Sequence, residues 1–355
     1  MPTVPPGGLI LVTGANGYIA GASIQVFLDK GYKVRGTVRN AEKNQWMLKH
    51  YGPNFSLASV PEMGIEGAFD EVVKGVDGIA HIASAVVFKP DPKEVIPPMI
   101  TSAVGILKSA AKEPRVKSVV YTSSQAASVP IPTMYQAEPY ELKEWTYYED
   151  SKEAWTLPQS SEFPRMLLNY AASKLEAEQA SWAWVKENKP NFTFNVVVPN
   201  INFGAATSPL HTGFGSSAGL LKLLWQGHTI GTTMIPSQWF IDVDEDGLLH
   251  LAALTLPDVA NERIYAMVGK FLWNDILAIF RKEAPDRKFI DDLEEKLDQG
   301  VIHNERSLEL LKRLGQTHGF NSLEVVIKKW IKQMLQVENE EMPETEGDRM
   351  AKLLT

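Results

Sequence analysis

Gly14-Ala15-Asn16-Gly17-Tyr18-Ile19-Ala20 follows an apolar run at residues 9–12 and opens a helical pattern at 19–28. A chain that passes from strand to helix through so tight a turn needs small residues there. The same turn brings backbone N–H groups and a helix N-terminus to the surface, an arrangement suited to a pyrophosphate. The spacing is GxxGxxA, and Ala20 still lets the helix pack closely on the sheet. A glycine trio alone is weak evidence, but the strand–turn–helix context favours a dinucleotide-binding turn.

The following segments keep the same rhythm. Strand-like runs at 33–38, 55–60, 78–82 and 117–122 alternate with helical patterns at 41–50, 66–73 and 97–111. Repeated units of this size predict a parallel, doubly wound α/β sheet, and the continuously apolar central strands suit a sheet covered on both faces. A long, aromatic-rich stretch at 126–161 interrupts the alternation, as functional loops do. A helix at 163–187 and a strand at 193–198, ending at Pro199, resume it. Beyond residue 200 the pattern is irregular. Residues 240–243 read as a return to the sheet, with Asp244 or Asp246 near the start of a helix through Leu254. Helices are expected at 308–314, stopped by Gly315, and after Ser322, where Leu323, Val326, Ile327, Trp330, Ile331 and Met334 form a packing stripe. The tail at 338–346 is acidic and reads as solvated.

At 355 residues the chain suits two domains, or one large α/β body with an added lobe. Its 44% apolar and 22% charged residues exclude wholesale disorder. There is no cysteine, so disulfides, thiolate catalysis and Cys-type metal sites are excluded. None of the seven histidines lies three or four residues from another, and no metal is expected. A net charge of −8 argues against a nucleic-acid partner. No apolar run approaches the length of a membrane span, and the first residues lack the pattern of a secretory signal. A cytoplasmic protein with a small-molecule site is therefore expected.

Three further features carry chemistry. The end of the second strand reads Thr37-Val38-Arg39-Asn40-Ala41-Glu42-Lys43. An acid there would accept hydrogen bonds from an adenosine ribose, whereas a 2′-phosphate demands a cation. Arg39 stands at the strand end with Lys43 beyond it, so NADP(H) is expected over NAD(H). Two tyrosines precede a lysine by four residues, Tyr148 with Lys152 and Tyr170 with Lys174. That spacing places both side chains on one helical face, where an ammonium can lower a phenol's pKa. Tyr148 lies in a polar stretch cut off by Pro158, whereas Tyr170 lies inside the 163–187 helix, so Tyr170 and Lys174 are the expected pair. Thr122-Ser123-Ser124 ends a central strand, where open α/β sheets place their ligands. Ser124 is the chosen hydroxyl, with Ser123 the near alternative. Gly215-Ser216-Ser217-Ala218-Gly219 formally fits a hydrolase nucleophile elbow, but no strand leads directly into it.

Taken together, the glycine turn, Arg39, His81-Ile82-Ala83-Ser84, Thr122-Ser123-Ser124 and Tyr170-xxx-Lys174 resemble the extended short-chain dehydrogenases/reductases. The resemblance is closest to fungal NADPH-dependent aldehyde and ketone reductases related to plant dihydroflavonol 4-reductase and cinnamoyl-CoA reductase, and it covers nearly the whole chain. It implies a Rossmann-type sheet over residues 1–199 and 228–268, with a smaller, mostly helical substrate lobe at 200–227 and 269–355. It implies cofactor contacts at Gly14, Ala15, Asn16, Gly17, Tyr18 and Ile19, with Arg39 and Lys43 on the 2′-phosphate. Further contacts would fall on Glu62, Met63, Ala83, Tyr170, Lys174, Pro199, Asn202 and Ser217. The implied activity is carbonyl reduction, with Tyr170 as proton donor, Lys174 tuning it and Ser124 orienting the carbonyl. The aromatic loop and residues 200–235 suggest bulky hydrophobic substrates, and a monomer or homodimer is expected. A nucleotide-sugar epimerase or dehydratase shares the turn and the Tyr–Lys pair. A non-catalytic NADP-sensing binder is a third reading.

Overall fold

The computed structural model describes residues 3–84, 88–130, 139–345 and 348–349. Its main sheet has seven strands: β1 (Leu9–Thr13), β2 (Lys33–Val38), β3 (Phe55–Ser59), β4 (Gly78–His81), β5 (Ser118–Thr122), β7 (Thr193–Pro199) and β10 (Arg263–Ala266). Their order is β10-β7-β5-β4-β1-β2-β3, and every neighbouring pair is parallel. β5 and β7 are buried at every position, as a sheet covered on both faces requires. Side chains alternate between two cores. Ile10 and Val12 pack with Ile24 and Phe27 of α1 (Tyr18–Asp29) and with Leu249 of α8 (Val243–Thr255). Leu11 faces the other way, toward Ile106 and Leu107 of α3 (Pro92–Lys112) and Ala177 of α4 (Phe163–Asn188). The winding reverses between β1 and β4, which opens a crevice above their C-terminal ends.

The second lobe is built around β8 (Ile201–Phe203), β9 (Trp239–Asp242) and β11 (Gly269–Lys270), which form their own sheet. The helices α6 (Ser216–Trp225), α9 (Trp273–Glu283) and α11 (Leu323–Val337) bury an aromatic cluster there. Trp330 is fully buried, stacked on Phe280 at 5.7 Å and edge-on to Trp225 at 5.8 Å. Val326, Ile327, Ile331 and Met334 are buried with it, as the helical stripe predicts. β6 (Tyr140–Leu142), in the long aromatic stretch, pairs in parallel with β12 (Gly300–Ile302).

Several elements differ from the sequence reading. Residues 240–243 do not rejoin the main sheet; β9 joins the small one, and β10, unmarked in the sequence, takes the edge. α8 starts at Val243 with Asp244 and Asp246 in its first turn, as expected, and Asp242 caps it by accepting from the Asp244 N–H at 3.1 Å. Residues 66–73 form successive turns instead of a helix. Phe69, Val72 and Val73 have helical spacing and are buried, but Gly67 sits at φ +74°, outside the helical region. α3 begins at Pro92, five residues before the expected start, with Asp91 capping the Lys93 N–H at 2.9 Å. Pro97 and Pro98 are tolerated inside it because the carbonyls they leave unpaired belong to solvent-exposed Lys93 and Glu94. The acidic tail is mostly exposed, as expected, at Asn339, Glu340, Glu341, Pro343 and Glu344. It is anchored where Glu338 accepts from Arg287 at 3.0 Å and Met342 packs on the lobe core; beyond it, Asp348 pairs with Lys222 at 2.5 Å.

Candidate active site

A cleft of about 1050 Å³ runs along the C-terminal edge of the main sheet, under the second lobe. At one end the chain turns through Gly14 at φ +68°, and a Cβ there would lie 3.0 Å from the Ala83 methyl. The turn is closed by the Gly17 N–H donating to the Gly14 carbonyl at 2.7 Å. No side chain caps α1, so its first N–H groups stay available at the cleft wall. Asn16, Gly17, Tyr18 and Ile19 also line the cleft. Ala15 does not line it. Its N–H is committed to the Thr37 carbonyl at 2.8 Å, and its buried methyl fills the space above Gly36. The Tyr18 hydroxyl reaches across to the Gly204 carbonyl at 2.8 Å and ties α1 to the second lobe.

Arg39 and Lys43 stand on the rim, and Glu62 and Met63 face the same cleft. Neither cation has a carboxylate partner among the described residues, which leaves two positive charges for an anion. Ala83 lies beside Gly14, its N–H bound to the Thr13 hydroxyl at 3.0 Å. The Thr13 hydroxyl also hydrogen-bonds His81 Nδ1 at 3.0 Å. The ring's Nε2 lies 3.3 Å from the Ser102 hydroxyl. Burial, aided by nearby Lys174, pushes His81 down to about 3, so the ring is neutral.

Tyr170 and Lys174 project from α4 into the middle of the cleft. The Lys174 ammonium donates to Ser84 Oγ at 2.6 Å and to the Thr122 carbonyl at 3.0 Å. Burial pushes it down to about 7, and the Glu178 carboxylate opposes that. Burial raises the Tyr170 phenol, and a hydrogen bond from Ser124 partly offsets this. The neighbouring hydroxyl is used differently: Ser123 donates to Glu178 Oε2 at 2.5 Å. The rival pair lies elsewhere. Lys152 is in a 3-10 turn, paired with Glu149 at 2.6 Å, and is not in the cleft lining. Pro199, Asn202 and Ser217 line the same cleft, and the Ser217 hydroxyl donates to the Asn202 carbonyl at 2.6 Å. The Asn200 and Asn202 side-chain oxygens are buried with no partner among the described residues. Gly215 caps α6 without a strand before it, so no nucleophile elbow forms there.

The sequence reading gave no role to Ser84 or Glu178. Of the two stretches expected to wall the pocket, 200–235 supplies apolar side chains, whereas Tyr140, Trp145, Tyr147, Tyr148 and Trp155 of the aromatic stretch do not line the cleft. Phe88, Phe163, Leu167, Leu220 and Met234 supply apolar surface beside Tyr170, and Phe88 lies 5.8 Å from the Tyr170 ring. Gln125 and Gln238, joined by a 3.2 Å hydrogen bond, are polar groups in that wall. Glu178 was within reach of the spacing argument, since it follows Lys174 by four residues.

Residues 10–214 match the description of the NAD dependent epimerase/dehydratase family, more than half of the chain. The chain belongs to that family. It is an extended short-chain dehydrogenase/reductase with the doubly wound fold its sequence implied. Aldehyde reductase 2 of Sporidiobolus salmonicolor is 40% identical over 333 residues, covering 92% of this chain and 95% of that protein. Ketoreductase adrE of Penicillium rubens is 34% identical over 340 residues, covering 92% and 96%. The structure of yeast methylglyoxal/isovaleraldehyde reductase Gre2 complexed with NADPH superposes with a TM-score of 0.78 at 25% identity, over 94% of this chain and all of that one. No helix among the described residues is long and apolar enough to cross a membrane.

Proposed function

We propose that this chain reduces aldehydes and ketones to alcohols with NADPH, and that its substrates are bulky, hydrophobic or aryl carbonyl compounds. One observation carries the reading: Tyr170, Lys174 and Ser124 share a single cleft with the Gly14 turn and with the unpaired cations Arg39 and Lys43. The cleft fits the cofactor, because a side chain at Gly14 would fill the cradle and two free charges stand where a 2′-phosphate needs them. When bound, NADPH supplies the hydride.

The rest belongs to the protein. Ser124 and Tyr170 hydrogen-bond the carbonyl oxygen and fix its orientation. The Tyr170 phenol, still protonated at neutral pH because burial raises it, gives its proton to that oxygen as negative charge develops there. The Lys174 ammonium stabilises the resulting phenolate. The apolar wall excludes water and accepts the substrate's ring or chain. In this reading residues 1–199 and 243–268 form the main cofactor-binding body, narrower than the expected 228–268 because Trp239–Asp242 joins the small sheet, and the lobe covers the substrate. The protein works in the cytoplasm, as a monomer or homodimer.

The test is Tyr170→Phe, assayed by NADPH absorbance with a panel of aryl ketones, aliphatic aldehydes and β-ketoesters. Turnover should fall by at least about a thousandfold while NADPH affinity changes little. Persistent turnover would remove Tyr170 from the acid role.

A further inference from the structure

The Glu178 carboxylate is wholly buried, and so is its ion-pair partner Arg263, with Nε to Oε1 at 2.7 Å. A buried pair of this kind is weak evidence for stability, because desolvating two charges costs about as much as their attraction returns. Its partners suggest a different purpose. Glu178 is two four-residue steps along α4 from Tyr170 and one from Lys174. Each such step rotates the helix face by about 40°, so the three side chains follow one another down a single stripe.

That stripe meets three consecutive residues at the end of β5. The Thr122 carbonyl accepts from Lys174 at 3.0 Å, Ser123 donates to Glu178 at 2.5 Å, and Ser124 hydrogen-bonds Tyr170. Ser124 follows Ser123 directly in an extended conformation, so anchoring Ser123 on Glu178 also limits where the Ser124 hydroxyl can lie relative to the phenol. Arg263 also donates to the Glu144 carbonyl at 3.0 Å and to Ser128 Oγ at 2.6 Å, while Tyr147 reaches Glu178 at 2.9 Å.

We propose that Glu178 is a positioning residue: by binding Ser123 it fixes the β5 terminus so that Ser124 is kept on Tyr170. This rests on the catalytic roles given above to Ser124 and Tyr170. Glu178 is also an anion one helical turn from Lys174, so its charge favours the protonated ammonium.

The experiment compares Ser123→Ala, Glu178→Gln and Tyr170→Phe in the full chain, with an aryl ketone as substrate and active-site concentration set by NADPH titration. Ser123→Ala leaves the Arg263 pair intact. It should lower kcat by roughly tenfold or more, with NADPH Kd within about twofold of wild type and a melting temperature lowered by no more than about a few degrees, the cost of one buried hydrogen bond. Glu178→Gln should in addition move the alkaline limb of the kcat/KM profile to lower pH, because the ammonium loses its neighbouring anion. A purely structural pair would lower the melting temperature and the active fraction, but neither kcat per site nor the pH limb. The inference is overturned if Tyr170→Phe is inactive while the other two variants keep wild-type kcat and profile. If Tyr170→Phe is itself active, the catalytic reading falls first and takes the inference with it. If Glu178→Gln does not fold, Ser123→Ala decides by the same kcat criterion.

Discussion

Replacing Lys174 by methionine should stabilise the cofactor-free protein while abolishing turnover. The ammonium is 2% exposed, and burial brings its proton release down to about 7, from 10.5 for an ordinary lysine. Between those values the unfolded chain binds more protons than the folded one, so stability rises with pH across that window. The cost of burying the charge is therefore present in full below about pH 7 and is gone above 10.5. A separation of about 3.5 pH units corresponds to a cost of about 5 kcal/mol. Methionine removes that cost but also removes the hydrogen bonds to Ser84 and the Thr122 carbonyl, each worth about 1 kcal/mol, and leaves that carbonyl unpaired. The net gain at pH 6 is roughly 2 kcal/mol, a rise of a few degrees in melting temperature for a chain of this size. Thermal and urea unfolding of both proteins at pH 6, 7.5 and 9 is the assay, and the gap should narrow as pH rises. If Lys174→Met melts at or below wild type at pH 6, or if the gap does not shrink by pH 9, the ammonium is not held at an energetic disadvantage and the argument fails.

Arg39→Ala should weaken NADPH binding by roughly 10- to 100-fold, the worth of one or two charge-assisted hydrogen bonds, and change NADH binding by less than about threefold. Fluorescence titration with both cofactors checks this, and equal losses would rule out a 2′-phosphate at Arg39. Gly14→Ala puts a side chain at φ +68° and 3.0 Å from the Ala83 methyl. It should cost about 1–2 kcal/mol of stability from backbone strain alone, with a larger loss of NADPH affinity because the cradle is filled. An unchanged melting curve and Kd would mean the turn is neither strained nor in contact with the cofactor.

What the sequence made legible is what depends on near neighbours. The glycine turn, the apolar strands and the Tyr170–Lys174 spacing each rest on residues within a few positions of one another, and the structure places them in one cleft. What it hid depends on partners far along the chain. Ser123 and Ser124 could not be separated locally, because the group that distinguishes them, Glu178, lies 55 residues away. β10 was invisible because it is short and opens on Arg263, a residue ordinarily exposed; its burial makes sense only once Glu178 is known to face it. The anchor of the acidic tail was hidden for the same reason, since Arg287, which binds Glu338, lies 51 residues away. The stretch at 240–243 was read as a main-sheet strand because its pattern is right, but nothing local told which sheet it would join, and its partners β8 and β11 are three and two residues long. In each case the element's type follows from its own residues, whereas its address is set by a charge or an edge that a distant segment supplies. The same logic makes the Ser123–Glu178–Arg263 chain worth testing, because a carboxylate that joins the helix of Tyr170 to the strand of Ser124 and to the edge strand β10 can transmit a small displacement between them.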